Sequence, residues 1–291
     1  MTYLNKSVII IDNSDLSYSG EDINGTLVRG TEASLILLSE QFVRMGINVD
    51  YCNSIQKKSK FNGVNYFNKN DIIKQKQYDL AIVISDANEF RRVSSLKKAV
   101  FSNSNQPIEK FIRKKQLLPF LKFKPTLITL CDYQYKKRSF FTSFYGKKTI
   151  PITVDPKFLD IEIDQNFLPE KKVVYNIRSN RNLNHLIKIW CDKIFPLNNE
   201  FKLYITPNLI DYKDFHKKNN ILLRTIGSRS EMIDEMKNYR ALTYLGHKSD
   251  IFTLTAEEAI KMCLPVVTFG IGSLKERVSH NETGFIAKND Q

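Results

Sequence analysis

The sequence lacks several features that would settle a function quickly. Its four cysteines, Cys52, Cys131, Cys191 and Cys263, lie far apart and form no C-x-x-C pair, so buried free thiols in a reducing cytoplasm are the simplest account. The histidines His185, His216, His247 and His280 have no metal-like spacing. No apolar run approaches the ~18 residues of a membrane span. The opening MTYLNKSVIIID passes directly into a strand pattern with no signal-peptide cleavage site, and the expected location is the cytoplasm. G-x-S-x-G, a Walker-type loop and H-E-x-x-H are absent. The loop after the first strand lacks G-x-G-x-x-G, which leaves a dinucleotide oxidoreductase without support.

What is present is an ordinary globular composition of unusual charge. At 291 residues the chain suggests two domains. With 42% hydrophobic and 26% charged residues it has enough apolar material for one or two cores. The formal charge of +13 favours anionic partners such as nucleotide phosphates, nucleic acid or an anionic membrane. A Lys-rich and Asn-rich composition alone would give the same excess.

Hydrophobic patterning reads as alternating strands and helices. SVIIID (7–12) is too short for a helix and marks a buried strand. From Thr31 the apolar positions Leu35, Leu38, Phe42 and Met45 recur at helical spacing, and Gly46 suits the helix end. INVDYCN then supplies a second strand, completing a βαβ unit and hence a parallel sheet. Further strands are expected at 78–85, 98–103, 125–130 and 148–155, with helical stretches at 107–116 and 132–144. The segment PKFLDIEIDQNFLPEKK has no helical period and two prolines, which marks 156–170 as a linker. A second α/β series follows: strands at 172–177, 201–207, 221–227 and 241–246, helices at 183–192 and 229–238, and the closing stretch 249–288. The expected domains are 1–155 and 171–291.

Four constellations could carry chemistry. In RGTE (29–32), Gly30 precedes the first helix, where a free backbone and helix N–H groups could meet a phosphate; a plain turn would use the same residues. NIRSNRNLN (176–184) puts Arg178 and Arg181 at the C-terminal end of a strand, the edge where parallel sheets bind ligands, and arginine's planar fork suits diphosphate oxygens. In SDIFTLTAEEAIKMCLPVVTFGIGSLKERV (249–278), Asp250 and Glu258 stand eight residues apart around a helix start. Pro265 ends that helix, Val266, Val267 and Phe269 make a strand, and Gly270 and Gly272 permit close backbone approach. Carboxylates so placed can accept hydrogen bonds from sugar hydroxyls, or act only as partners of the helix dipole. The fourth stretch, 109–124, interleaves Lys110, Arg113, Lys114 and Lys115 with Phe111, Leu117, Leu118 and Phe120. Basic residues beside exposed apolar ones suit an anionic membrane or acceptor side, whereas a core would bury the apolar ones and leave the charges merely solvated. The stretch holds no recognised RNA-binding motif, and nucleic acid is not an expected partner.

Taken in order, these pieces resemble the retaining GT-B glycosyltransferases of family 4, the group 1 glycosyltransferases. EAIKMCLPVV resembles the family's E-A-M-A-x-G-x-P-V-V, GIGSLKERV its Gly-rich turn with a following Glu, here Glu276, and HNETGFIAK its x-G-x-T-G-x-L-V ending. RGTE is similar to G-G-x-E, and PITVDPKFL to P-x-G-V-D-x-x-x-F with Thr153 in place of Gly. The resemblance implies a GT-B fold of two Rossmann-like domains with parallel sheets facing a cleft. It implies a metal-independent, retaining, hexosyltransferase-like enzyme, with no cofactor, that moves a sugar from a nucleotide-diphosphate donor to a glycan or lipid-linked acceptor in polysaccharide or lipopolysaccharide biosynthesis; no Asp-x-Asp argues otherwise. The family's E-x7-E pair falls on Asp250 and Glu258 as the catalytic positions, with Asp replacing the first Glu. The donor would be held by Gly30, Arg178, Arg181, Glu258, Gly272 and Glu276. Members usually continue past the last motif through further helices, so the resemblance also implies a relative shortened at its C-terminus. The alternative expectation is a catalytically degenerate relative that binds nucleotide or glycan without turnover.

Overall fold

The computed structural model describes residues 5–25, 28, 30–72, 76–105, 107–137, 145–162, 167–178, 180–206, 218–224 and 227–288. The chain divides into two units, Met1–Thr153 and Val154–Gln291.

The first unit contains β1 (Ser7–Ile11), α1 (Gly30–Arg44), β2 (Asn48–Asn53), β3 (Ser59–Phe61), β4 (Val64–Asn68), β5 (Gln77–Ile84) and β6 (Ser94–Phe101). It continues through α2 (Ile108–Arg113), α3 (Leu117–Phe123), β7 (Thr126–Thr129), α4 (Asp132–Lys137) and β8 (Lys147–Thr149). The sheet order is β3-β4-β2-β1-β5-β6-β7-β8, parallel throughout except for the β3/β4 ladder. Val8 to Ile11 are buried on both faces, as the continuous apolar run of a central parallel strand requires. α1 packs Ala33, Leu35 and Ile36 toward β2 and β4, and the opposite face of the sheet carries a core built around Ile9, Val83, Phe90, Phe111 and Phe120.

Between the expected elements, residues 59–68 form an antiparallel hairpin at the sheet edge. Its turn is Asn62-Gly63, both at positive φ (45° and 82°), the two-residue turn whose twist matches the strands it joins. The strand expected over 148–155 closes at Thr149, before Pro151, whose nitrogen cannot donate to a ladder. The helix expected over 107–116 ends at Arg113, with Lys115 left-handed (φ 52°) before α3 begins. Of the helix expected over 132–144 the described part is α4, and 138–144 lie outside the described residues.

The second unit contains β9 (Lys172–Tyr175), α5 (Leu183–Ile189), a π-turn (Trp190–Ile194) running into α6 (Phe195–Leu197), β10 (Lys202–Ile205) and β11 (Ile221–Leu223). Then come α7 (Arg229–Met236), β12 (Ala241–Thr243), α8 (Leu254–Lys261), β13 (Val266–Thr268), α9 (Leu274–Arg277) and β14 (Gly284–Ile286). All ladders are parallel in the order β11-β10-β9-β12-β13-β14. Counted within the unit this is 3-2-1-4-5-6, the doubly wound order whose direction reverses between its first and fourth strands. The core is built on Val174, Leu186, Trp190, Leu203, Leu242 and Val266. Part of the expected linker belongs to it: Phe158, in the turn Pro156–Phe158, is fully buried in that core.

Candidate functional site

The reversal of strand order in the second unit places the loops after β9 and β12 side by side at the carboxyl edge of the sheet, where open α/β sheets hold ligands. The loop after β9 is held from below. The Tyr175 hydroxyl donates to the Arg178 carbonyl at 2.9 Å and lies 3.0 Å from that of Arg181. Asn182, left-handed at φ 62°, donates from Nδ2 to the Gly246 carbonyl, which ties this loop to the one after β12.

Arg181 is the cation so positioned. Its Nη1 lies 2.7 Å from His247 Nδ1, and its Nε 3.6 Å from Asp250 Oδ1. The Ser249 amide also donates to His247 Nδ1, at 3.1 Å. Two partners that can only donate mark Nδ1 as the acceptor, which puts the ring proton on Nε2. Asp250 in turn accepts from the Tyr244 hydroxyl, whose ionisation burial and the adjacent carboxylate push well above the usual range, so that it remains a donor. Arg181 is thereby fixed in direction while, among the described residues, most of its N–H donors stay uncommitted.

The glycines of the corner are there for proximity. Gly272 has φ 74°, and a Cβ on it would lie 2.5 Å from the His247 carbonyl oxygen and 3.0 Å from that of Asp250. The neighbouring Ser273 amide donates to the Asp250 carbonyl at 3.0 Å, closing the loop after β13 onto the loop after β12. Gly272→Ala is expected to destabilise the unit by about 1–3 kcal/mol through backbone strain. A urea titration followed by the fluorescence of Trp190, the single tryptophan and buried in this unit's core, reads the effect; an unchanged midpoint would contradict it.

Glu258 belongs to a second cluster. It sits in the second turn of α8, buried rather than facing solvent beside Glu257. Its Oε1 accepts from Arg229 Nη2 at 3.0 Å. Arg229 Nε is 3.2 Å from Asp155 Oδ2, and the guanidinium stands 5.3 Å from the centre of the Phe158 ring. One cation, 11% exposed, thus serves two buried carboxylates. Burial pushes the Glu258 carboxyl up to about 7, with Asp155 adding to the rise and Arg229 opposing it. Among the described residues no hydrogen bond or ion pair joins Glu258 to the Arg181 cluster.

The remaining expected residues belong to both units. Arg178 is exposed on the same edge loop as Arg181, and Glu276 is exposed in the first turn of α9. Gly30 opens α1 in the first unit, where its carbonyl accepts from Ser34; Arg29 lies outside the described residues. Arg113, Lys114 and Lys115 are exposed at and after the end of α2; Lys110 lies within α2, and its side chain is outside the described residues.

Two arginines escaped the sequence reading. Arg229 hid in a capping-box helix start, where polar residues need no functional explanation. Arg224 follows β11 directly and is buried against Glu235, with Nη1 2.6 Å from Asn176 Oδ1 and 3.2 Å from Thr206 Oγ1. A cation immediately after an apolar strand run was its only signal. Among the described residues no three His, Cys, Asp or Glu side chains converge to hold a metal ion.

No protein-family model matches the chain, and no curated protein matches it in sequence. Solved structures do match. The chain is similar to TarM (TM-score 0.72, 11% identity, covering 98% of this chain and 89% of that one), and a variant of S. aureus TarM has been solved with fondaparinux, α-GlcNAc-glycerol and UDP. It is similar to sucrose-phosphate synthase from Thermosynechococcus elongatus (TM-score 0.70, 11% identity, 97% and 85% covered). It is also similar to WaaG, a glycosyltransferase involved in lipopolysaccharide biosynthesis (TM-score 0.62, 11% identity, 95% and 85% covered). The fold is therefore α/β with parallel sheets, of the kind found in GT-B glycosyltransferases.

Proposed function

We propose that the chain is a glycosyltransferase whose second unit holds a nucleotide-diphosphate sugar at the corner formed by the loops after β9, β12 and β13. The observation that carries this reading is Arg181, fixed by His247 and Asp250 at the reversal point of a 3-2-1-4-5-6 sheet with donors to spare. There its fork would bind the diphosphate, with Arg178 and backbone N–H groups near Gly272 beside it, and would neutralise charge as it develops on the leaving group, usually the largest catalytic contribution. Asp250 and Glu258 would accept from sugar and ribose hydroxyls, and Glu276 would lie at the same donor side. Transfer would proceed with retention and without a metal, to a glycan or lipid-linked acceptor, as the family resemblance implies.

Incubation with a panel of nucleotide sugars and an acceptor-free control, scored by nucleoside diphosphate release, tests the reading. Release with at least one donor is expected, and no release or binding across the panel would sink it. A second reading has its own support: Asp250 and Glu258 are both already engaged by Arg181, Tyr244 and Arg229. On that reading the chain binds nucleotide or glycan without turnover, and calorimetric binding with no product would favour it.

A further inference from the structure

α2 and α3 divide the 109–124 stretch between core and surface. Phe111 and Phe120 turn inward, with ring centres 4.9 Å apart, into the core of the first unit. Gln116, fully buried between the helices, donates from Nε2 to the Ser85 carbonyl at 3.0 Å, and Asn88 Nδ2 donates to the Lys114 carbonyl at 3.2 Å. The helices are thus anchored, and what they present outward is set. Ile112 is 59% exposed, Leu118 69% and Leu121 49%, with Leu117 beside them, in helices too short to gain from leaving leucines in water. Arg113, Lys114, Lys115, Lys122 and Lys124 are exposed around these apolar positions, against the single acid Glu109 in α2. Among the described residues none of the five has an ion-pair partner.

Beside this face the same unit forms two adjoining cavities. One, of about 590 Å³, is lined by Phe90, Arg91, Leu118, Pro119, Lys122 and Phe123. The next, of about 300 Å³, shares Arg91 and Phe123 and adds Arg92, Ser95 and Lys98. Ser95 is 8% exposed, and its hydroxyl is buried with no hydrogen-bond partner. Cations line both cavities, Ser95 with its unanswered hydroxyl lines the second and the exposed Leu118 the first, which offers charge for a phosphate and apolar surface for chains attached to it.

We propose that the α2–α3 face of the first unit docks on an anionic phospholipid bilayer, with Leu117, Leu118 and Leu121 entering the acyl boundary and a headgroup phosphate held between Arg91 and Lys122. Charge complementarity names the occupant: a patch of cations around leucines matches an anionic interface. A protein partner would have to bring both an acidic ring and an apolar centre. The arrangement needs no spanning segment, and no helix among the described residues is long and apolar enough to cross a membrane. It is independent of the donor site and stands or falls separately from glycosyl transfer.

The test is flotation of the full chain with vesicles of phosphatidylglycerol and phosphatidylcholine against vesicles of phosphatidylcholine alone. Binding to the anionic vesicles at low salt is expected, falling as salt rises. The triple variant Lys114→Gln, Lys115→Gln, Lys122→Gln should partition about 100-fold more weakly, at about fivefold per charge. The pair Leu118→Ser, Leu121→Ser should lose at least about tenfold while keeping its circular dichroism spectrum, since both side chains are exposed. Failure to float with anionic vesicles, equal flotation with phosphatidylcholine, or unchanged binding by the triple variant would each overturn the proposal. So would equal affinity for heparin in competition, which would reassign the face to soluble polyanions.

Discussion

Replacing Arg229 by Met is expected to cost the second unit about 3–5 kcal/mol, the penalty for leaving buried charge without its counter-ion. The side chain is 11% exposed and its partners Asp155 and Glu258 are 6% and 8% exposed, so water cannot take over the role of the guanidinium. The two carboxylates would be left without their shared counter-ion beside the Phe158 ring. The urea midpoint followed at Trp190 should fall sharply, and adding Glu258→Gln to Arg229→Met should recover part of the loss, because the two sites share one interaction. Equal midpoints for wild type and Arg229→Met would show that the triad is not a buried charge network.

The same triad gives stability a definite pH slope. Glu258 ionises near its ordinary 4.5 in the unfolded chain and at about 7 when folded, so between those values the folded state holds more protons than the unfolded one. The stability tied to this group is fully present below about pH 4.5 and is lost as pH rises through 7. Glu258→Gln alone should remove that slope and leave the protein as stable as wild type or more so at pH 8, by about 1–3 kcal/mol. A Gln variant less stable at pH 8 would reverse the sign and refute the assignment. Arg229 is thus indispensable, while the ionised carboxylate it holds is not.

The second large effect concerns ligand binding. Arg181→Ala should weaken binding of UDP, or of whichever nucleoside diphosphate binds best, by about 10- to 100-fold, the scale of a charge-assisted hydrogen bond. Arg181→Lys should recover part of the loss, since it restores the charge without the fork. Arg178→Ala, on the exposed side of the same loop, should weaken binding only severalfold. The fold of Arg181→Ala should survive, because the Tyr175 and Asn182 contacts that shape the loop use backbone carbonyls and not its side chain. Unchanged calorimetric affinity would remove Arg181 from the site.

Much of the strand succession was legible because buried parallel strands leave continuous apolar runs such as VIII and LAIVI. The position of Arg181 was legible for a related reason: a cation just beyond a strand run marks the carboxyl edge. The hairpin at 59–68 was missed although FNGV carried its turn, since short edge strands of mixed polarity look like loop. Glu258 was placed by its distance from a helix start, which says nothing about which face of the helix it occupies. Its burial depends on Arg229, twenty-nine residues earlier, and on Asp155, which the sequence pattern placed at the end of a strand in the other domain. Ion pairs of that kind join elements the sequence keeps apart, and no local pattern announces them.

The outermost strands of the first sheet, β3 and β8, are three residues long and carry or adjoin lysines, Lys58 and Lys60 at one margin and Lys147 and Lys148 at the other. A sheet margin is a template on which another copy can add a strand, and short, cation-bearing margins spoil that template because like charges would be brought face to face. Some of the excess positive charge therefore acts between molecules, by keeping concentrated solutions of this chain from growing intermolecular sheet.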